Sequence, residues 1–351
     1  MRTVLGIPAA EAISLPKRDP RSVQQHMRAA VYSEYGPPDV VVQINEVEKP
    51  IPKDNEVLLK VRAASVNPLD WHFMRGTPYL IRMLTGLRKP KITRLGVDVA
   101  GQVEAVGRNV TQFKPGDNVF GSCRGAFAEH ACTAESALVS KPDNVTFEQA
   151  ASAPVAAFTA LQGLRDKGHI QPGQKVLING AAGGVGTFAV QIAKSFGAEV
   201  TGVCSTRNVE MVRSMGAARV IDYTQQDFTK MGQRYDLFFD CVGNHSLLAC
   251  RRVLNPKGIY VPVGGTSDRW MIGPLARAFA TLVLSWFVSQ KLVKFFLARP
   301  DKEDLTVVGE LMAAGKVTPV IDRRYRLSEV PEAIRYVEEG HARGKVVITL
   351  E

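Results

Sequence analysis

The residues Val176-Leu177-Ile178-Asn179-Gly180-Ala181-Ala182-Gly183-Gly184-Val185-Gly186 are the most chemically suggestive stretch of the chain. An apolar run leads into them and a helical period leads out, so the glycines occupy a strand-to-helix turn. Such a turn offers backbone N–H groups and the positive end of a helix, and small residues let a pyrophosphate come close to both. About 20 residues further on, a carboxylate would take the ribose 2′-hydroxyl of NAD. The chain has Ser205-Thr206-Arg207 in that place. No carboxylate there repels a phosphate, and the Arg207 guanidinium offers one a bidentate grip, which favours NADPH. The competing reading has Arg207 pointing to solvent at the start of a helix.

The elements that must position this turn follow two patterns. From Met27 to about Ala150, short strand-like runs at 28–32, 56–64, 101–106, 118–120 and 127–133 are separated by turn signals such as Lys114-Pro115-Gly116-Asp117, which predicts a compact, mostly β domain. From about Ala153 strands and helices alternate. A buried strand at 175–179 and a helix at 187–196 are followed by strands at 199–204, 236–240 and 258–263, with a helix at 244–254. That alternation predicts a doubly wound parallel sheet, and so an α/β fold class. A helix at 302–315 leads to a strand at 345–350 that could return to complete the first domain. There is no internal repeat.

Length and composition agree with two soluble domains: 351 residues, 45% hydrophobic and 22% charged. The net charge of +10 is spread along the chain. With no basic stripe and no groove-reading motif, nucleic acid is excluded as a partner and an anionic dinucleotide suffices. The five cysteines are odd in number and lack C-x-x-C spacing, which suits a reducing compartment, the cytoplasm. Residues 1–26 read as an extension whose apolar patch, broken by Gly6 and Pro8, is too weak for a secretory signal. Its Arg2, Lys17, Arg18 and Arg21 leave an organelle-targeting peptide open beside an unstructured arm or a misplaced start codon. The uncharged run 278–290 is shorter than the roughly 18 residues a bilayer requires, so it is expected as a buried or interface helix and no membrane is expected. Lys291, Lys294 and Arg299 leave a basic surface helix as the alternative.

Taken in order, Asn67-Pro68-Leu69-Asp70, Leu95-Gly96-Val97-Asp98-Val99-Ala100-Gly101, the Lys114-Pro115-Gly116-Asp117 turn, Gly125-Ala126-Phe127-Ala128-Glu129 and the string Asn179 to Gly186 resemble the medium-chain dehydrogenase/reductase superfamily, in its zinc-free quinone oxidoreductase and enone reductase branch. The resemblance runs from Met27 to the C-terminus. It implies a GroES-like, mostly β catalytic domain at 27–152, a Rossmann NADP-binding domain at 153–300, a return to the catalytic domain at 301–351, an active-site cleft at the junction, and a homodimer. At the first-ligand position of the zinc members this chain has Asn67, and their Gly-His-Glu segment reads Gly96-Val97-Asp98, so two expected ligands are missing and no metal is expected. Cys123, His130 and Cys132 lack a fourth ligand and read as packing residues.

The same resemblance places Asn67 and Asp70 at the nicotinamide end, Asn67 on cofactor or acceptor oxygen and Asp70 fixing local geometry. Read from residue type alone, they could form only a turn. His72 stands where relatives often carry Tyr; it either donates or relays a proton, or bonds a backbone carbonyl. Tyr79 is a second candidate donor. Thr159, Tyr223, Val242, Gly243, Val263, Gly264, Gly265 and Lys345 are implied as further cofactor contacts beside the glycine string and Ser205-Thr206-Arg207. The activity implied is metal-free, NADPH-dependent reduction of a quinone or α,β-unsaturated carbonyl, whose conjugation delocalises incoming charge. Reduction of aldehydes, ketones or enoyl thioesters, and a non-catalytic NADPH-binding role, are the rivals. The insertion 80–91 is expected to cover the cleft and shape the acceptor pocket.

Overall fold

The computed structural model describes residues 25–264, 281, 289–293 and 296–350. The expectations for the arm at 1–26 and for the uncharged run at 278–290 fall almost wholly outside them, as do Gly265 and Lys294.

Among the described residues, two large sheets carry the fold. The first holds β3 (Glu56–Val66), β4 (Asp98–Val106), β5 (Asn118–Ser122), β6 (His130–Ala134), β7 (Leu138–Ser140) and, from the far end of the chain, β14 (Ile321–Arg326) and β15 (Lys345–Thr349). Its central strand β3 alternates poorly: most of its residues are buried on both faces, as its Val, Leu and Ala content demands. Strands β1 (His26–Val31) and β2 (Gln43–Glu48) form a separate antiparallel ribbon. Two registers in the first sheet bring distant side chains together. Pairing of β15 with β3 sets Val346 opposite Val66, and pairing of β4 with β3 sets Asp98 opposite Ser65.

The second sheet is wholly parallel, in the order β10 (Arg219–Asp222), β9 (Glu199–Cys204), β8 (Lys175–Asn179), β11 (Tyr235–Asp240), β12 (Leu254–Pro262), β13 (Lys291–Leu292). Numbered along the chain, this is the 3-2-1-4-5-6 order of the dinucleotide-binding fold, in which the winding reverses between β8 and β11. Helices on both faces explain why its strands are nearly continuous apolar runs, with Phe238 and Phe239 completely buried. Truncating either to Ala would cost about 3–5 kcal/mol.

The predicted strands lie within three residues of the observed bounds, β8 and β9 coinciding with them and β12 alone starting four residues early, but several helices were not foreseen: Pro68–Arg75, Phe147–Ser152, Pro154–Gln162 and Val330–Glu338. Three of them begin with proline in the first turn, which reads locally as a turn signal and serves here as a helix start. The stretch Asn67-Pro68-Leu69-Asp70 is therefore a helix N-terminus: Asn67 caps it and its N–H donates to Asp70 Oδ2 at 2.7 Å.

Candidate active site

The carboxyl end of β8 leads through Gly180, at φ +79°, into the helix Gly184–Ser195, whose N-cap is Gly183. A methyl group at Gly186 would lie 2.0 Å from Gly180 O, so the turn closes only with glycine there. The N-terminus of this helix opens into a cleft of about 850 Å³ lying between the two sheets, lined by Gly180, Ala182, Gly183, Gly184, Val185 and Gly186. Ala181 is buried behind the turn and does not line it.

The switch point is organised by a residue that sequence reasoning passed over. Asp240, at the end of β11, is fully buried. Its Oδ1 accepts from Asn179 Nδ2 (2.9 Å), Val242 N (3.1 Å) and Gly243 N (2.9 Å), and its Oδ2 from Tyr260 OH (2.9 Å). These bonds shape the loop that presents Val242 to the cleft, with Gly243 at its back; Val263 and Gly264 complete the wall. A Cβ at Gly264 would meet Cys241 O at 1.9 Å. Burial pushes the Cys241 thiol far above its ordinary pKa, so it is a packing group and not a nucleophile.

At the far end of the cleft β9 stops at Cys204, and Ser205, Arg207, Asn208 and the 61%-exposed Tyr223 line the wall. Thr206 turns away: its hydroxyl donates to Asp222 Oδ2 at 2.5 Å. A carboxylate thus stands behind the ribose selector although Ser205-Thr206-Arg207 contains none; Asp222 also accepts from Thr224 N and Oγ1, and the Thr206 hydroxyl bond holds its pKa below the usual range. The opposite wall comes from the segment between Val330–Glu338 and β15. Arg207 Nη2 reaches His341 O at 3.4 Å, Arg343 Nε donates to Asn208 Oδ1 at 2.7 Å, and Gly183 bridges Gly344. Neither His341 nor Arg343 carried any sequence signal. Glu338 lines the cleft as well, held bidentately by Arg75 at 2.8 Å through each oxygen.

The near end is built by the two registers. With Val346 opposite Val66, Lys345 falls beside Asn67; with Asp98 opposite Ser65, the Asp98 carboxyl falls beneath both. Lys345 Nζ donates to Asn67 Oδ1 at 2.5 Å, and Asn67 Nδ2 donates to Asp98 Oδ2 (2.9 Å) and Ser65 O (3.3 Å). Asp98 further accepts from Ser65 Oγ (2.8 Å) and Val155 N (3.1 Å), and lies 3.5 Å from the Lys345 ammonium. All four side chains are at least 97% buried, so the charged pair is tolerable only because its polar atoms are bonded. Asp70 sits just behind, where burial outweighs the Asn67 N–H bond and pushes its carboxyl up to about 7.

His72 makes the backbone-carbonyl bond that one of its two sequence readings expects. Its Nδ1 bonds Thr77 O at 2.7 Å, which requires the proton on Nδ1, and burial lowers its pKa, so the ring is neutral. It stacks on Trp71 with centroids 3.6 Å apart, both rings lining the cleft. Tyr79 does not reach the cleft lining; its ring lies under the Arg82 guanidinium at 4.9 Å. Thr159 is also outside, its hydroxyl returned to Val155 O at 2.7 Å. The tempting metal trio separates as well: His130 Nε2 bonds Glu104 Oε2 at 2.9 Å, and among the described residues no three His, Cys, Asp or Glu side chains converge as ligands.

Residues 53–143 match the family described as alcohol dehydrogenase GroES-like domain, and residues 215–348 the family described as zinc-binding dehydrogenase. Over 336 residues the chain is 34% identical to the chloroplast envelope quinone oxidoreductase homolog of Arabidopsis thaliana, an overlap of 92% of this chain and 98% of that protein. The chain belongs to the medium-chain dehydrogenase/reductase superfamily. Another superfamily member, the 2-methylene-furan-3-one reductase of Solanum lycopersicum, is 33% identical over 93% of this chain and 80% of that one. Among solved structures, the quinone oxidoreductase from Coxiella burnetii superposes with a TM-score of 0.81 at 29% identity, covering 93% of this chain and all of that one. The Rossmann sheet beside a GroES-like domain is thus the superfamily fold, and the protein is an oxidoreductase working with a nicotinamide cofactor. No helix among the described residues is long and apolar enough to cross a membrane.

Proposed function

We propose that this oxidoreductase uses NADPH, without zinc, to reduce a quinone or an α,β-unsaturated carbonyl compound. The observation that carries the reading is the charge and shape of the cleft: a glycine cradle at a helix N-terminus midway along it, Arg207 at one end and Lys345 at the other. Its one lining carboxylate among the described residues, Glu338, is neutralised by Arg75. This suits a dinucleotide with an added phosphate.

The residues fit that cofactor. Gly183, Gly184 and the first turn of Gly184–Ser195 would hold the pyrophosphate, Ser205 and Arg207 the phosphorylated ribose, and the Asn67 end the nicotinamide. When bound, the cofactor supplies a hydride. What the chain itself supplies is a preorganised end to the cleft, where Asn67 and Lys345 are fixed by Asp98 and where Trp71 and His72 form a wall for a planar conjugated acceptor. Asp70 would set the geometry of the Asn67 turn and not meet the acceptor.

By the resemblance, the zinc members' ligand positions fall at Asn67 and in the Gly96-Val97-Asp98 segment, where Val97 replaces the histidine; Asn67 and Asp98 bond one another and lie against Lys345. The names of the two relatives, a quinone oxidoreductase homolog and a furanone reductase, support the acceptor class. We further propose a homodimer; the five cysteines, all unpaired, suit the cytoplasm. The test is oxidation of NADPH and of NADH with 9,10-phenanthrenequinone and a simple enone as acceptors. NADPH-dependent turnover of either acceptor is expected; turnover of aldehydes alone, or NADPH binding without turnover, would overturn the reading.

A further inference from the structure

If the protein reduces such acceptors as proposed, charge arriving on the acceptor's oxygen must be met by a proton, and the described residues at the Asn67 end leave few able to give one. Both amide hydrogens of Asn67 are engaged, by Asp98 and by Ser65 O. His72 spends its N–H on Thr77 O. Asp70 and Tyr79 do not line the cleft. Lys345 does, and among the described lining residues at this end it is the one cation. An ammonium carries three N–H bonds. One donates to Asn67 Oδ1 and one side faces Asp98 Oδ2 at 3.5 Å, so a third remains for an acceptor in the cleft that this buried side chain lines.

We propose that Lys345 is the catalytic proton donor and that Asp98 is the residue that positions it. As hydride reaches the conjugated carbon of the acceptor, an N–H bond of Lys345 breaks and an O–H bond forms on the acceptor's oxygen. The acceptor gains a hydride and a proton, two electrons in all, the nicotinamide being what is oxidised. The neutral amine then recovers a proton from water entering the cleft. Burial drives the Lys345 pKa below the ordinary lysine value while Asp98 and Asp70 oppose it; these two, from β4 and from the helix Pro68–Arg75, face it, and neutral His72 lines the same cleft. The depression brings proton loss nearer to working pH, as a general acid requires.

The experiment compares unaltered enzyme, K345M, K345R and D98N. With saturating NADPH and a simple enone, K345M should lower kcat by about 10²-fold or more while the Kd of NADPH, titrated by fluorescence, stays within about threefold. K345R should recover part of the rate, with the basic limb of its kcat–pH profile moved upward, because guanidinium holds its proton more tightly. D98N should lower kcat and move the same limb downward, because it removes the carboxylate that stabilises the ammonium. The double variant D98N/K345M leaves no buried carboxylate facing a missing cation and serves if K345M alone does not fold. A K345M enzyme with weakened NADPH binding and intact saturating kcat, or an unmoved basic limb in K345R, would make Lys345 a cofactor anchor and overturn the proposal. Absence of turnover by the unaltered enzyme would instead overturn the functional reading beneath it.

Discussion

The Lys345 ammonium stands 2.5 Å from the amide oxygen of Asn67 across 278 residues of sequence. The contact follows from one antiparallel register, Val346 against Val66, and it ties the last strand of the chain to the first turn of the helix that carries Trp71 and His72. A one-residue slip of β15 would turn Lys345 to the opposite face of the sheet, so the site is only as precise as that pairing.

The cofactor preference is tested at Arg207. R207A should lower the ratio of kcat/KM for NADPH over NADH by about 10-fold or more, by removing a charge-assisted grip on the 2′-phosphate. A ratio that does not change would leave Arg207 as a solvent-facing residue.

Gly186 reports on the cradle. In G186A the new methyl would have to displace Gly180 O from 2.0 Å, so the turn must open. Overpacking of this kind costs about 1–3 kcal/mol, and the opened turn should also weaken binding of 2′,5′-ADP. Thermal unfolding and calorimetric titration of the variant check both effects.

Asp70 makes stability depend on pH. Its folded pKa, about 7, lies above the ordinary carboxylate value of 3.8. The stabilisation is therefore fully present below about pH 4 and is lost as pH rises towards 7, because the unfolded chain releases this proton first. The full span is on the order of 4 kcal/mol. In D70N, whose amide oxygen can still accept from Asn67 N–H, denaturation midpoints should lose this downward slope between pH 4 and 7. An unchanged slope would place the titration elsewhere.

Metal removal separates the zinc-free reading from the description of one matching family as zinc-binding. Protein stripped by a chelator should keep its NADPH-dependent quinone turnover, and added zinc should not raise it. Loss on stripping with recovery on zinc addition would overturn the zinc-free reading.

Much of the cofactor half was legible in sequence because its physics is local. A strand, a glycine turn and a helix must be consecutive to cradle a pyrophosphate, so Gly180 to Gly186 announced themselves, and Ser205 and Arg207 followed at a fixed distance. The chemistry at the other end was less legible. His72 allowed two readings that only the position of Thr77 O could separate, and Thr159 and Thr206 look like cleft residues until their hydroxyls are seen to be spent on Val155 O and Asp222.

By itself, then, the sequence determined the parallel sheet and the glycine cradle, and put Asn67 and Val97 where the resemblance expects zinc ligands, because apolar periodicity, glycine and residue type act over a few neighbouring positions. Only the tertiary structure decided that Asp98 underlies Asn67, that Asp240 shapes the loop at the switch point, that His341 and Arg343 meet Arg207 and Asn208, and that Lys345 bonds Asn67. Those contacts join strands and loops far apart in the chain, and which side chains meet there is set by sheet register and by packing between the two sheets, which no local pattern encodes.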